Sequence, residues 1–245
     1  MTVPDARAEQ ARAVMLELFP EGFEEVDAGG ALELAAYTNA AGEERLWQAF
    51  GGARTTELEE GWEERWRQFH RPQRIGSLWI GPPWEQPPGD AIAIAIDPGR
   101  AFGTGGHATT RLCLELLQAE QRGSVVDVGC GSGVLSIAAC KLGFAPVVGV
   151  DVDPQAIEST ERNAAANGVT VDVRLADLSA EALPPADLAL VNISGEAVAT
   201  LAGRLDVPRA ITSGYLVSND PVLEGFRVER RVAFGGWAAD VHVRL

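Results

Sequence analysis

The stretch Asp127-Val128-Gly129-Cys130-Gly131-Ser132-Gly133 decides the fold of this chain. It continues the short apolar run 125–128 and precedes residues 134–142, whose composition predicts a helix. Gly129 and Gly131 let the backbone turn tightly and lie close to a ligand, where any Cβ atom would clash. Ligands bind at the carboxyl ends of strands in open α/β sheets. The stretch therefore predicts a strand, a ligand-binding loop and a helix.

Strand and helix patterns continue to alternate after this stretch. A helix is predicted to begin at Pro154, because proline suits the first turn, and to end at Gly168. Alternating strands and helices of this length indicate a mostly parallel α/β sheet. The last two strands have no helix between them, which indicates an antiparallel hairpin at a sheet edge. The predicted strands are 125–128, 147–152, 169–175, 188–193, 226–234 and 238–245.

Proline is concentrated in the segment 81–92, which predicts a linker because repeated prolines fix φ and remove backbone donors. The linker separates an expected small α+β domain, residues 1–80, from a main domain, residues 93–245.

The small domain has weaker patterns than the main domain. Helical spacing over 6–18 indicates that the chain starts with a helix, and weak alternation over 31–37 indicates a strand. A second helix is indicated by the aromatic side chains at i, i+4 and i+7 in 58–69, a spacing typical of a buried helix face. Those side chains are Trp62, Trp66 and Phe69.

Composition restricts the class of protein. The 245 residues carry a net charge of −15, which repels a phosphate backbone and argues against direct nucleic-acid binding. The same charge would attract a basic protein, although acidity also serves solubility alone. No apolar run reaches the roughly 20 residues of a membrane helix, and residues 1–10 do not form a signal peptide, so a cytoplasmic protein is expected. The scattered cysteines and histidines predict no metal site.

Two classes of cofactor compete for the glycine loop. A dinucleotide fingerprint would need glycine where Val134 stands, and no Lys-Ser/Thr pair of a phosphate-binding loop follows. A GxGxG spacing after the acidic residue Asp127 resembles the first motif of the S-adenosylmethionine-binding methyltransferases. A structural turn without a ligand is the alternative.

Acidic residues after the next two strands favour a bound nucleoside. Asp151 ends the second strand, 22 residues after Gly129, where a carboxylate can accept hydrogen bonds from ribose hydroxyls. Asp153 suits the N-cap of the following helix, which leaves Asp151 for the sugar. Asp177, after the third strand, is placed to reach an adenine amino group, or it is a solvated turn residue.

A second glycine-rich segment, 96–110, leads into the predicted helix 111–118. Its small residues are interrupted by Phe102 and His107, which suggests a loop against a ligand. Hydroxyls and free N–H groups at the helix start, around Thr110, could bind a carboxylate such as that of methionine. A capped helix after a flexible loop is the alternative.

These motifs together resemble a known family. Asp97-Pro-Gly-x-Ala-Phe-Gly-Thr-Gly-x-His-x-Thr-Thr110 is similar to the signature of the ribosomal-protein methyltransferases called PrmA. Asp-x-Gly-Cys-Gly-Ser-Gly-x-Leu, Gly-Val-Asp-x-Asp-Pro and Asn192-Ile193 follow in the order of that family. The resemblance covers about two thirds of the chain. It implies a Rossmann-like, seven-stranded class I methyltransferase fold with S-adenosylmethionine as cofactor.

The resemblance also assigns site residues. It implies cofactor contacts at Thr110, Gly129, Asp151 and Asn192, with Phe102, Thr104 and Asp177 lining the same pocket; Asp127 and Gly131 of the glycine loop are counted with them. Two departures concern the substrate: the family usually begins with a strand, and the segment 206–225 is short and lacks a Pro-Gly-Gly turn.

The implied reaction is methyl transfer to amino groups, either lysine side chains or an N-terminal amine, of a large-subunit ribosomal protein. Asn192 is the candidate catalytic residue, because its carbonyl could position the amine. No strong general base is evident, and His107 is either a base or a structural loop residue. Residues 1–90 hold 17 acidic and 8 basic residues, which suits a basic protein substrate.

Other functions remain open. The alternatives are a lysine methyltransferase acting on another protein, a small-molecule methyltransferase, a cofactor-sensing module without chemistry, and a dehydrogenase.

Overall fold

The computed structural model describes residues 1–19, 23–27, 30–36, 38, 40–52, 72–97, 106–176, 182–201 and 203–245. The chain divides into two compact units, Met1–Gln68 and Phe69–Leu245. No described helix combines the length and the apolar character needed to span a membrane. The predicted helix with Trp62, Trp66 and Phe69 lies outside the described residues.

The first unit is a small α+β domain with an antiparallel sheet of order β1-β3-β2. Its elements are β1 (Thr2–Pro4), α1 (Ala8–Leu18), β2 (Glu24–Asp27), β3 (Ala31–Ala35) and α2 (Ala40–Phe50). Our prediction that the chain starts with a helix is wrong, because β1 precedes α1. The backbone of Met1 exchanges two hydrogen bonds of 2.7 Å with Leu34, and a strand of three residues is too short to leave a periodic pattern.

The second unit begins with a small sheet of order β4-β5-β6. Its strands are β4 (Gln73–Ile75), β5 (Leu78–Gly81) and β6 (Ile92–Ala95). The Pro-rich residues 82–91 connect β5 to β6, which pair in parallel, so they form a loop within one sheet. The division of the chain therefore falls at Gln68 and not at the expected residue 80, since a linker cannot lie between two paired strands of one unit.

The rest of the second unit is built on a larger sheet. Its elements are α3 (Ala108–Ala119), β7 (Val125–Val128), α4 (Val134–Leu142), β8 (Val147–Asp151), α5 (Pro154–Ala166), β9 (Asp172–Leu175), β10 (Leu188–Asn192), α6 (Gly195–Thr200), β11 (Arg209–Leu216), β12 (Phe226–Phe234) and β13 (Trp237–Arg244). The sheet has seven strands in the order β12-β13-β11-β10-β7-β8-β9. Five neighbouring strands from β9 to β11 are parallel, and β13 is antiparallel to β11 and β12. The predicted α/β fold and its antiparallel edge hairpin are confirmed.

Burial explains which strands were easy to predict. β7 and β10 lie in the middle of the sheet and are buried, as their continuous apolar runs indicate. The edge strand β9 is largely exposed and begins only at Asp172. Val169, predicted as the strand start, instead donates its N–H to the carbonyl of Ala164 and closes the end of α5.

The strand β11 was not predicted. It lies beside β10 and extends the parallel part of the sheet, so β7, β8, β10 and β11 end at one edge. This edge carries the glycine loop, Asp151 and Asn192.

Candidate active site

The glycine loop after β7 has a conformation that L side chains rarely adopt. Gly129 and Gly131 have φ angles of +74° and +55°. A Cβ atom on Gly129 would lie 2.6 Å from Cγ2 of Ile193. The N–H groups of Gly129 and Cys130 both donate to the carbonyl of Val150, at 2.9 and 3.1 Å. The loop therefore lies against β8 and against the residue that follows β10.

Two side chains of α5 hold this loop. Oγ1 of Thr160 donates to the carbonyl of Gly131 across 3.0 Å, and Nδ2 of Asn163 donates to the carbonyl of Ser132 across 2.8 Å. Both side chains are buried. Sequence reasoning missed this role of Thr160, although polar residues on the buried face of an amphipathic helix were a signal for it.

Asp151 lies where the prediction put it, at the end of β8. Its Oδ2 accepts the N–H of Gly131 across 2.9 Å, and its Oδ1 accepts the N–H of Asp153 across 3.0 Å. A carboxylate offers about four acceptor positions, so each oxygen can still accept a hydroxyl hydrogen bond.

Asp153 has the capping role predicted for it. Its Oδ1 accepts the N–H of Gln155 across 2.9 Å, and it precedes Pro154 at the first turn of α5. The two neighbouring carboxylates thus have different surroundings, and Asp151 is the one that borders the glycine loop.

Asp127 faces the protein interior. It is 1% exposed, and its Oδ2 accepts the hydroxyl of Ser136 on α4 across 2.6 Å. Burial raises the pKa of Asp127 to about 6 and nearby Asp151 adds to the rise, while hydrogen bonds from Ser136 oppose it. Asp127 fastens the start of α4 to β7.

Asn192 and Thr110 meet at the same sheet edge. Nδ2 of Asn192, the last residue of β10, donates to Oγ1 of Thr110 across 3.3 Å. Thr110 is buried in the first turn of α3. With Nδ2 bonded to Thr110, the side-chain oxygen Oδ1 of Asn192 is the atom of the amide that can accept an N–H group, and no described side chain or N–H group donates to it.

His107 is the N-cap of α3. Its Nδ1 accepts the N–H of Thr109 across 3.3 Å, and its ring packs edge-on against Trp237 with centroids 4.7 Å apart. Of the two roles considered for His107, the geometry favours the structural one. Phe102 and Thr104, predicted to line the pocket, lie outside the described residues, as does Asp177.

The entry to the second glycine-rich segment is attached to α5. Oδ1 of Asn163 accepts the N–H of Asp97 across 3.2 Å. Asn167 uses its amide to pair with both backbone groups of Ala95, at 2.9 and 2.7 Å. The start of the segment with the PrmA-like signature thus contacts the helix that holds the glycine loop.

Metal and thiol chemistry find no support in the described part of the chain. No three His, Cys, Asp or Glu side chains there could hold a metal ion together. Burial, with the charge of Asp127 adding, raises the pKa of Cys130 to about 12. Cys130 is therefore a neutral thiol at pH 7 and not an activated nucleophile.

Comparison with known proteins gives a consistent picture. The profile of the family "Ribosomal protein L11 methyltransferase (PrmA)" matches residues 18–237. A ribosomal protein L11 methyltransferase of Pelobacter propionicus is 43% identical over 187 residues, covering 72% of this chain and 59% of the relative. One from Legionella pneumophila strain Corby is 45% identical over 175 residues, covering 67% of this chain and 60% of the relative. The chain thus spans about three fifths of the length of these relatives.

A solved structure agrees with the sequence comparison. The crystal structure of a ribosomal protein L11 methylase from Lactobacillus delbrueckii subsp. bulgaricus matches with a TM-score of 0.65 and 30% identity, covering 71% of this chain and 99% of that chain. Because β1 precedes α1, the first unit begins with a strand, as the substrate-recognition domain of the family usually does. One of the two departures from the family pattern is thereby removed. Because the family profile matches residues 18–237, which is most of the 245-residue chain, the chain belongs to the ribosomal protein L11 methyltransferase family.

Proposed function

We propose that this chain transfers methyl groups from S-adenosylmethionine to amino groups of a basic protein, and that its substrate is ribosomal protein L11. The observation that carries the proposal is that two hydrogen-bonded contacts lie at the same edge of the sheet. Asp151 pairs with the glycine loop, and Asn192 pairs with Thr110. The first pair suits a nucleoside, and the second suits an amine.

The residues present fit S-adenosylmethionine. The unused acceptor positions of Asp151 suit the two ribose hydroxyls, and Gly129 and Gly131 let a ligand approach the backbone. The first turn of α3 around Thr110 has N–H groups suited to the methionine carboxylate. Within this proposal, Phe102, Thr104 and Asp177 line the same pocket.

The bound cofactor supplies an activated methyl group on its sulfonium. Displacement at that methyl needs alignment more than acid–base power. Asn192 accepts an N–H of the attacking amine through its carbonyl and so directs the nitrogen lone pair. Lysine has a reference pKa of about 10.4, and removing it from water favours the neutral amine that can attack.

Two observations support the proposed substrate, namely the names of the curated relatives and the net charge of this chain. Curated relatives are called ribosomal protein L11 methyltransferases. The net charge of −15 attracts a basic protein. The first unit, residues 1–68, holds 15 acidic and 6 basic residues, and this excess of acidic residues supports it as a contact for the basic substrate.

Labelled methyl transfer tests the proposal. The pure chain is incubated with labelled S-adenosylmethionine and ribosomal proteins from methylation-deficient cells, and labelled proteins are identified by mass spectrometry. We expect label on amino groups of L11, a loss of at least about tenfold in Asn192→Ala, and no loss in Asn219→Ala, a surface asparagine. Label on another protein, or none despite cofactor binding, would overturn the L11 assignment. Failure to bind the cofactor would overturn the proposal as a whole.

A further inference from the structure

A buried polar cluster on β11, β12 and β13 contains none of the residues to which the proposed reaction assigns a role. Four of its side chains are 1% exposed or less, and each is hydrogen-bonded. They are Thr212, Tyr215, Asp240 and His242, and Arg231 joins them from the edge strand β12. Burying a carboxylate is costly, so a fully bonded cluster in the sheet calls for an explanation.

Tyr215 is the centre of the cluster. Its hydroxyl donates to Oδ2 of Asp240 across 2.8 Å and lies 2.7 Å from Oγ1 of Thr212. Burial raises the pKa of Tyr215, and the charge of Asp240 adds to the rise, so the hydroxyl keeps its proton. Arg231 donates to both oxygens of Asp240, at 2.8 and 2.9 Å. The hydroxyl of Tyr215 is therefore held by the carboxylate of Asp240, which is in turn held by Arg231.

The tyrosine closes a bulge in β11. The pairing of β11 with β13 shifts between Ser213 and Tyr215, which leaves Gly214 as the extra residue. The hydroxyl of Tyr215 also lies 3.1 Å from the carbonyl oxygen of Thr212 and so spans the bulge from one side to the other.

The bulge supports the loop that carries Asn192. Asn192 pairs with Ser213 in the parallel register of β10 and β11. The next residue, Ile193, has its carbonyl in the space that a Cβ atom on Gly214 would occupy, and Gly214 has a φ of +104°.

The loop is supported at its far end as well. A Cβ atom on Gly195, the first residue of α6, would lie 3.3 Å from Cβ of Tyr215 and 3.8 Å from its ring. The segment from Asn192 to Gly195 thus rests on the bulge at one end and on the tyrosine at the other.

We propose that Tyr215 is a positioning residue for Asn192, its hydroxyl anchored by Asp240 so that the Gly214 bulge holds the Asn192–Gly195 segment in place. This inference rests on the proposed methyl transfer. The ribose contact proposed for Asp151 lies on β8, and the hydrogen bonds of Asp151 join no residue of the cluster. Of the two roles that the family resemblance implies for Asn192, contact with the cofactor and placement of the amine, the proposal commits to the second, so the positioning acts on the amine and not on cofactor affinity.

The test uses Tyr215→Phe, which removes the anchor and keeps the ring. We expect kcat for methyl transfer to L11 to fall about tenfold, since small displacements of an aligning group slow transfer. We expect the Kd for S-adenosylmethionine, measured by calorimetry, to stay within about threefold of the wild type, because the cluster does not contact Asp151. The control is Ser159→Ala, which removes a buried hydroxyl with no hydrogen-bond partner in the described structure, and it should leave both quantities unchanged.

Each outcome separates the two proposals. Wild-type kcat in a folded Tyr215→Phe variant would overturn the positioning role and leave methyl transfer intact. An equal loss of kcat in Ser159→Ala would also overturn it, because general loosening would then explain the effect. Wild-type protein that binds the cofactor and transfers no methyl group to any ribosomal protein would overturn the proposed function instead.

Discussion

Nδ2 of Asn192 donates a hydrogen bond across 3.3 Å to Oγ1 of Thr110, a residue 82 positions earlier in the chain. The contact joins the end of β10 to the first turn of α3. It also orients the amide of Asn192, because a donor bonded to Thr110 leaves the carbonyl for another partner. One contact therefore links the two segments to which we assign cofactor binding and amine positioning.

Replacing Thr110 tests this link. Thr110→Val keeps the shape of the side chain and removes the acceptor, so the amide of Asn192 loses its orientation. We expect kcat for methyl transfer to fall by about tenfold to a hundredfold. Thr110→Ser retains the hydroxyl and should stay within about threefold of the wild type by the same argument. Steady-state kinetics of both variants measures this, and equal rates for Val and Ser would count against the link.

Gly214 and Gly143 form a matched pair for the bulge. Their φ angles are +104° and +93°, but a Cβ atom on Gly214 would overlap the carbonyl of Ile193, while one on Gly143 meets no described atom within 4 Å. We expect Gly143→Ala to lower the free energy of unfolding by about 1–2 kcal/mol through backbone strain. Gly214→Ala should lower it by about 3 kcal/mol or more, because overlap adds to strain. Urea unfolding compares them, and equal losses would contradict the packing described.

Asp127 gives the fold a pH dependence. Its pKa is about 6 in the folded protein and about 3.9 in the unfolded chain, so its contribution to stability is present below about pH 4 and is lost as the pH rises through 6. Relative to Asp127→Asn, the wild type should lose about 1 kcal/mol of unfolding free energy between pH 5 and pH 7. Urea unfolding at both pH values measures the difference. A difference that does not change with pH would refute the raised pKa.

Local sequence predicted the parts of the site that lie on continuous strand-loop-helix segments. The glycine loop, the position of Asp151 and the cap at Asp153 all follow from residues close together in the chain. Contacts between distant segments were beyond this reasoning. Thr160 bonds Gly131 across 29 positions, and no local pattern records which loop a helix face will meet.

The strand β11 escaped prediction for a related reason. Its apolar pattern is interrupted by Thr212, Ser213 and Gly214. The sheet tolerates them because the two hydroxyls hydrogen-bond to residues of β13, and because the absence of a side chain at Gly214 leaves space for the carbonyl of the residue that follows β10. The first strand was missed because its three residues are too few for a pattern. The fold class was nevertheless predicted correctly, because the central strands β7, β8 and β10 are enough to indicate a parallel α/β sheet.

Calorimetric titration with S-adenosylmethionine tests the central claim most directly. The wild type, Asp151→Ala and Asp153→Ala are compared, because these neighbouring carboxylates have different partners. We expect Asp151→Ala to raise the Kd at least about a hundredfold through loss of two hydrogen bonds to a charged group. Asp153→Ala should keep the Kd within about threefold while losing about 1 kcal/mol of stability with the helix cap. Wild-type affinity in a folded Asp151→Ala variant would contradict the account.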